Sequence, residues 1–399
     1  MNEATMNEAT KRFIIENVGG NVFDLALQVG KYPGVDMPFA VRQIEGRQKM
    51  RLKVPAFFAE DNLLYPARLS LEQASSEVTA RYKSSLCKGN VLIDLTGGFG
   101  IDSFFLSQHF GQSYYIERNK ELCLIAGHNF QIADRKNIEV VCAEAGSFLN
   151  DFNGIADWIY IDPARRDNAG KKTVLLADCE PDVNKIHSQL LAKARRTLIK
   201  LSPMIDAEAV LRDVPHISQI HILAVDNECK ELLFVLDKNN TKPLAVRTRN
   251  FVKTNTCQSF DFEPEEEKNA AVNFAATLGK YLYEPNAAIM KSAAFKLTAQ
   301  RYNMYKLHAN THLYTSDSLT RNFPGRIFDV VSLWGNSKSA WKNRLKTLSK
   351  ANVSVRNYPV SADDLRKKLK LKDGGDTFLF ACTLANGEKT IIECKKTAI

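Results

Sequence analysis

The stretch Val91-Leu-Ile-Asp-Leu-Thr-Gly-Gly-Phe-Gly-Ile-Asp-Ser-Phe-Phe-Leu106 decides the fold. Its first part, VLIDLT (91–96), reads as a short buried strand, and Asp102 to His109 reads as a helix. Between them stand Gly97, Gly98 and Gly100, which allow the backbone a tight turn and a ligand a close approach.

Outward from this turn, short apolar runs alternate with amphipathic ones. Strands are expected at SYYIE (113–117), IEVVCAE (138–144), DWIYID (157–162) and TLIKL (197–201). Helices are expected at Asn119 to Ala133 and Asp182 to Ala194, each opening on a residue suited to cap its first turn. That alternation is the mark of a mostly parallel sheet covered on both faces. ISQIHILAVD (217–226) and CKELLFVLD (229–237) are separated only by Asn227 and Glu228, too few residues for a crossover, so an antiparallel hairpin is expected. Five parallel strands followed by such a hairpin close the sheet of class I methyltransferases, whereas a dinucleotide-binding domain continues in parallel.

Upstream, residues 1–88 read as a mainly helical domain in which LSLEQASSEVTARYKSSL (69–86) carries a cap-box-like Ser70 with Gln73 three residues on. Downstream, Asn239 to Lys268 is polar and reads as a linker or solvated turn around EPEEEK (263–268). The expected division is 1–88 helical, 89–240 cofactor-binding sheet, 241–322 linker plus small domain, and 323–399 basic domain.

At 399 residues, with 45% apolar and 25% charged side chains, the composition is that of globular domains and not of a disordered or fibrous chain. No apolar run approaches the roughly 18 residues of a membrane span, and the N-terminal MNEATMNEATKRF lacks a signal-peptide core, so a soluble cytoplasmic protein without a membrane partner is expected. The eight cysteines form no C-x-x-C pair, which argues against a metal site or a disulfide framework. The formal charge of +9 is unevenly spread: residues 321–399 hold 16 Lys plus Arg against 7 Asp plus Glu, and the two signs balance in 1–320. A polyanion bound at one end is the implied partner.

Glycine-rich strand-to-helix turns serve dinucleotides and S-adenosyl-L-methionine alike. Ser103 stands where the dinucleotide fingerprint wants Gly or Ala, which favours the latter. Asp94 is then placed to meet the cofactor's ammonium, Glu117 to accept from the ribose hydroxyls, and Glu144 from the adenine amine, with Ala145 beside the ring. The structural alternatives are a strand-end turn for Asp94, a surface pair with Arg118 for Glu117, and a helix cap for Glu144. The fourth strand ends in Tyr160-Ile-Asp162-Pro163-Ala164-Arg165-Arg166-Asp167, where a carboxylate and main-chain carbonyls would orient an amine for in-line transfer. The alternative is an Asp-Pro loop initiator, with Arg165 and Arg166 merely pairing Asp167.

DLTGGFGIDSFFL, YYIERN and YIDPARR together resemble class I S-adenosylmethionine-dependent methyltransferases, and the first two are similar to RNA guanine-N2 methyltransferases. The resemblance spans about residues 88–240 and implies a Rossmann-like, seven-stranded α/β sheet. It implies cofactor contacts at Asp94, Thr96, Gly97, Gly98, Gly100, Asp102, Glu117, Arg118, Glu144 and Ala145, and catalytic roles for Asp162, Pro163 and Arg165. Amine-methylating relatives carry proline and an aromatic after Asp-Pro; Ala164 and Arg165 stand there instead, and the arginine plane would stack on a base or grip a phosphate. RNA uridine-C5 methyltransferases share an Asp-Pro-x-Arg tetrad, but Leu201-Ser202-Pro203-Met204 offers no thiol for their chemistry.

EPNAAIMKSAAFKL (284–297), KLHANTHLYTSD (306–317) and NFPGRIFDV (322–330) resemble bacterial methyltransferase-like proteins with a C-terminal THUMP-like domain, which implies a ferredoxin-like unit near 280–320 and an RNA-associated unit after it. Trp334, Lys338, Trp341, Lys342, Arg344 and Lys346, with Arg366, Lys367 and Lys368, mix cations with indoles in the way an RNA surface would; the alternative is a solvated helix face over two core tryptophans. The expected function is methyl transfer to RNA (rRNA or tRNA), at an exocyclic base amine. The competing readings are an RNA-binding or assembly protein without turnover and a NAD-dependent oxidoreductase.

Overall fold

The computed structural model describes residues 7–165, 175–253, 256–335 and 338–398. The chain forms two compact units, Met1–Ser218 with Glu231–Lys242, and Gln219–Lys230 with Pro243–Ile399.

In the first unit, the strands are β1 (Val91–Asp94), β2 (Gln112–Glu117), β3 (Ile138–Cys142), β4 (Ala156–Ile161) and β5 (Ala194–Leu201). They lie in the order β3-β2-β1-β4-β5 and are all parallel. β7 (Glu228–Leu236), most of it in this unit, runs antiparallel to β5, and β6 (Ile217–Val225), most of it in the second unit, precedes it in the chain. The turn between β6 and β7 is Asp226-Asn227, one residue earlier than expected, and both residues have positive φ (49° and 65°), the geometry of a tight hairpin turn. β1 and β4 are buried nearly throughout, which explains why they read as continuous apolar runs and not as alternating ones.

Among the helices that position the site are α1 (Met37–Lys53), α2 (Glu77–Leu86), α3 (Ile101–Leu106), α4 (Lys120–Ile132) and α5 (Val183–Lys193). Asn119 caps α4 by accepting from the N–H groups of Glu121 and Leu122, and Asp182 caps α5 through Asn184, as their side chains foretell. The expected helix over 69–86 is instead two, Arg68–Gln73 and α2. Ser70 lies inside the first, and the cap is Ser76, which accepts from the Thr79 N–H, because the chain is extended at Ala74 and Ser76. The N-terminal helices pack on the sheet's own helices: Met50, Val54, Phe57, Leu71 and Ala80 share one core with Phe99, Ile101 and Phe105.

In the second unit, β8 (Ala245–Val252) pairs in parallel with β6 and antiparallel with β9 (Thr256–Phe262). The stretch read as a linker is therefore a hairpin, with a one-turn-plus helix at Pro264–Asn269. Its inward residues Val246, Thr248 and Asn250 are mostly polar, which hid the period of two. A second sheet contains β10 (Tyr281–Pro285), β11 (Tyr314–Ser316), β12 (Gly325–Trp334), β13 (Asn352–Arg356), β14 (Thr377–Thr383) and β15 (Lys389–Lys396) in the order β11-β10-β12-β15-β14-β13. α6 (Lys338–Leu345) and α7 (Ala362–Leu369) cover one of its faces over a core of Trp334, Trp341, Leu365, Leu369, Leu379 and Ile391.

Candidate functional site

The site forms where β1, β2 and β4 end. After Asp94 the backbone turns through Gly98 at φ +56° and Gly100 at φ +89°, left-handed conformations that favour glycine. Gly97 lies flat on Tyr115; a Cβ there would come within 2.1 Å of the ring. The Tyr115 hydroxyl donates to the Gly98 carbonyl at 2.5 Å, and the Glu117 carboxylate accepts the N–H groups of Gly98 at 2.9 Å and Asn119 at 2.8 Å. Glu117 thus braces the turn and makes no pair with Arg118, whose guanidinium lies 3.9 Å from Glu144. A Cβ on Gly98 would meet nothing closer than the Thr96 carbonyl oxygen at 3.8 Å, so the outer side of the turn is open to a ligand.

Asp94 is 1% exposed and accepts the Thr96 N–H at 3.0 Å and the Ser103 hydroxyl. Burial pushes its carboxyl up to about 7; the two hydrogen bonds oppose this and the nearby Asp102 and Asp162 charges add to it. Ser103, read only as a misfit to the dinucleotide fingerprint, is a working partner of this carboxylate. Thr96 Oγ1 accepts the Asp162 N–H at 2.6 Å, which ties the ends of β1 and β4 together.

The Asp162 side chain is 34% exposed, and Pro163 beside it is buried. Its Oδ2 accepts from the Lys200 ammonium on β5, whereas Oδ1 accepts no hydrogen bond from the described residues. Beneath it lies a charged layer that the sequence reading missed. Lys83 on α2 is 0% exposed, with Nζ 2.9 Å from both Asp102 Oδ1 and Glu231 Oε2. Asp102 Oδ2 accepts from Ser75 and from the Tyr160 hydroxyl, each at 2.7 Å. Asp102 thus joins a buried framework, with Lys83, Ser75 and Tyr160 around its carboxylate. Burial works to raise its carboxyl, and Lys83 and Lys200 outweigh that to hold it below the usual range. Part of the signal for this layer was in the sequence: Lys200 is a charged residue inside the apolar run Leu198-Ile199-Lys200-Leu201, a pattern that water-facing strands would not need.

Glu144 is exposed at the N-terminal boundary of the helix Ala145–Asp151 and makes no side-chain cap bond, and Ala145 is buried behind it. The backbone of Ala164–Arg165 pairs antiparallel with Cys179–Glu180. The side chain of Arg165, together with Arg166 and Asp167, lies outside the described residues, as does the side chain of Lys338.

The two indoles read as base-stacking platforms are core residues. Trp334 (2% exposed) donates to Ser332 and Glu393, and Trp341 (4%) donates to the Gly335 carbonyl. Arg366 is held by Asp363 and Asp373, and Arg344 stands 3.8 Å from Glu393, so neither is an uncompensated cation. Lys342, Lys346, Lys367 and Lys368 are exposed, the last with its ammonium 5.1 Å from the centre of the Trp341 ring.

Residues 281–324 match a ferredoxin-like domain family and residues 325–396 match a THUMP domain-like family. The chain is similar in structure to a candidate methyltransferase from Porphyromonas gingivalis W83, with a TM-score of 0.87 and 34% identity over 98% of each chain. It is also similar to a candidate methyltransferase from Streptococcus mutans solved with S-adenosylhomocysteine (16% identity, 40% of this chain, 94% of that one, TM-score 0.30). A further likeness is to TrmK of M. capricolum, also solved with S-adenosylhomocysteine (14% identity, 41% and 68%, TM-score 0.33). No curated protein matches the chain. With a relative 34% identical along its whole length, five parallel strands followed by an antiparallel one, and both C-terminal domains, the chain belongs to the family of class I methyltransferase-like proteins that carry a ferredoxin-like and a THUMP-like domain.

Proposed function

We propose that the protein is an S-adenosylmethionine-dependent methyltransferase that modifies RNA at an exocyclic base amine. One observation carries this reading: the open glycine turn, flanked by Asp94 and Glu117, lies at the same strand ends as Asp162, whose Oδ1 has no partner among the described residues. The residues present fit the cofactor. The cradle at Gly98 accepts a ligand that a side chain would exclude, Asp94 supplies an anion for an ammonium, and each Glu117 oxygen that braces the turn keeps a lone pair for a ribose hydroxyl. Two lysines face four carboxylates (Asp94, Asp102, Asp162 and Glu231), an imbalance that favours a cationic ligand.

When bound, S-adenosylmethionine would supply a sulfonium methyl: the amine lone pair would form the new bond to carbon as the carbon–sulfur pair returned to sulfur, and the methylated nitrogen would release its extra proton to water. The chain's own task is orientation. Asp162 Oδ1 accepts a hydrogen bond from the amine N–H, which turns the nitrogen lone pair toward the methyl, and Pro163 adds a wall without an N–H donor to compete. The THUMP domain-like match and the exposed lysines of α6 and α7 support RNA as the polyanion. Arg165 remains in this proposal as the residue that meets the base or its phosphate.

The test is transfer of tritiated methyl from S-adenosylmethionine to total RNA from cells lacking the gene. Label is expected in RNA, and Asp162→Ala should lose it by at least ~100-fold while still binding the cofactor. Absence of label from RNA, DNA and protein alike would favour a binder without turnover; full transfer by Asp162→Ala would remove Asp162 from the reaction.

A further inference from the structure

Lys200 is an unusual tenant of β5. Its neighbours Leu198, Ile199 and Leu201 are buried in the sheet, and the lysine itself is only 9% exposed, yet its ammonium reaches out of this apolar setting to Asp162 Oδ2. Removing a lysine from water costs several kcal/mol unless its charge is met. A sheet that needed only volume there would carry an aliphatic residue. The lysine sits one residue from the end of its strand, on the side where the glycine turn and the Asp-Pro loop converge.

We propose that Lys200 is a positioning residue for the methyl transfer, fixing the Asp162 carboxylate as an ionised, aimed hydrogen-bond acceptor for the substrate amine. The proposal rests on the reading of Asp162 given above and deepens it. The geometry divides the work of one carboxylate. Lys200 occupies Oδ2, the Asp162 backbone N–H is anchored on Thr96 Oγ1, and Oδ1 is left without a hydrogen bond from the described residues on a side chain that is 34% exposed. An acceptor held at two points cannot rotate its open oxygen away from the amine, so little ordering remains to be done when substrate arrives.

The charge state follows from the groups around the pair. Asp162 is faced by Lys200 from β5, Lys83 from α2, Asp102 from α3, Asp94 from the end of β1 and the Tyr160 phenol from β4; Lys200 is faced by Asp162, by Glu231 from β7 and by Asp102. Burial raises the Asp162 carboxyl and Asp102 adds to the rise, and Lys200 is the largest influence against it. Burial alone would lower the Lys200 ammonium, but its three carboxylate neighbours outweigh that and keep it charged. The sign is then fixed. With Lys200 removed, Asp162 loses the largest influence that opposes burial and keeps only the weaker pull of Lys83, so its carboxyl rises further toward the protonated form, in which an acceptor becomes a donor that cannot orient an amine.

The experiment compares wild type, Lys200→Met and Lys200→Arg in two measurements. In the first, methyl transfer to total RNA from cells lacking the gene is followed from pH 5.5 to 9.5. Lys200→Met should lose at least ~10-fold at pH 7 and recover toward wild type at high pH, its acid limb displaced upward by about one unit or more, whereas Lys200→Arg keeps the wild-type limb. In the second, which needs neither substrate nor cofactor, protein carrying ¹³C at aspartate carboxyls is titrated by NMR, with the Asp162 signal identified by its loss in Asp162→Asn. That signal should titrate at higher pH in Lys200→Met and near its wild-type pH in Lys200→Arg. Equal titration of Asp162 in wild type and Lys200→Met overturns the proposal, and so does an equal displacement in Lys200→Arg, since the charge would then be irrelevant. Should Lys200→Met not fold, the arginine variant and Lys200→Gln carry the same comparison. Failure of wild type to label RNA instead defeats the reading of the reaction, and leaves the NMR titration to decide whether Lys200 governs Asp162.

Discussion

Asp94 is where folding and ligand binding pull against each other most directly. Its carboxyl is buried and pushed up to about 7, against about 3.9 for an unfolded aspartate. A carboxyl raised in the folded state contributes stability that is full below the unfolded value and lost as pH rises through the folded one. The native protein should thus lose about 4 kcal/mol at this position between pH 4 and pH 8, an order-of-magnitude figure from the ~3-unit shift. Asp94→Asn cannot titrate, so its melting temperature should gain on wild type as pH goes from 5 to 8, while its affinity for S-adenosylmethionine falls at least ~10-fold for want of an anion. A stability difference that stays flat with pH would show that Asp94 does not titrate in this range. The importance of Asp94 was legible from its place before the glycines. Its partner Ser103 was not, because a serine in a helix's first turn normally faces water.

At the level of elements, the sheet was largely readable, whereas the layer that fastens it left only one trace, the charged Lys200 in an apolar strand run. The run of β1 to β5 and the reversal at β7 follow from apolar runs and one two-residue gap, and the caps of α4 and α5 from Asn119 and Asp182. Residues 69–86 misled because Leu71 and Val78, seven residues apart, keep a helical spacing across a break that only the extended backbone at Ala74 and Ser76 reveals. β8 was missed because it points threonine and asparagine inward. Lys83 went unremarked because pairing between distant segments, here 148 residues apart to Glu231, leaves no local pattern. Its effect on stability should nevertheless be among the largest of any single residue. Lys83→Met leaves Asp102 and Glu231 buried without their cation, a loss of about 3–5 kcal/mol for a broken buried pair. Urea denaturation measures this, and the Lys83→Met/Glu231→Gln double variant should lose less than the sum of the single changes, since one stranded charge is removed. Strict additivity would mean that the two side chains do not interact.

For the molecule as a whole, the informative quantity is where the positive charge lies. The excess of nine resides in residues 321–399, which the THUMP domain-like match nearly coincides with, and this was readable from counting alone. Which cations are available was not readable, because sequence spacing cannot show that Arg366 is held between two aspartates or that both tryptophans face inward. Beside Arg344, which stands near Glu393, the structure leaves Lys342 and Lys346 in one stretch and Lys367 and Lys368 in another as exposed cations among the described residues singled out. If RNA lies on them, affinity should fall with the logarithm of salt concentration, and each phosphate contact removed should lower that slope by roughly 0.7–0.9. Lys342→Gln, Lys346→Gln and Lys367→Gln combined should therefore reduce the slope by about two to three, weakening all RNA sequences alike. Trp334→Phe, a change inside the core, should instead lower the melting temperature and leave the slope where it was. These two variants separate the readings of the basic end: a slope insensitive to the three lysines would mean that RNA is held elsewhere, and a slope altered by Trp334→Phe in folded protein would mean that the indole takes part in binding despite its burial.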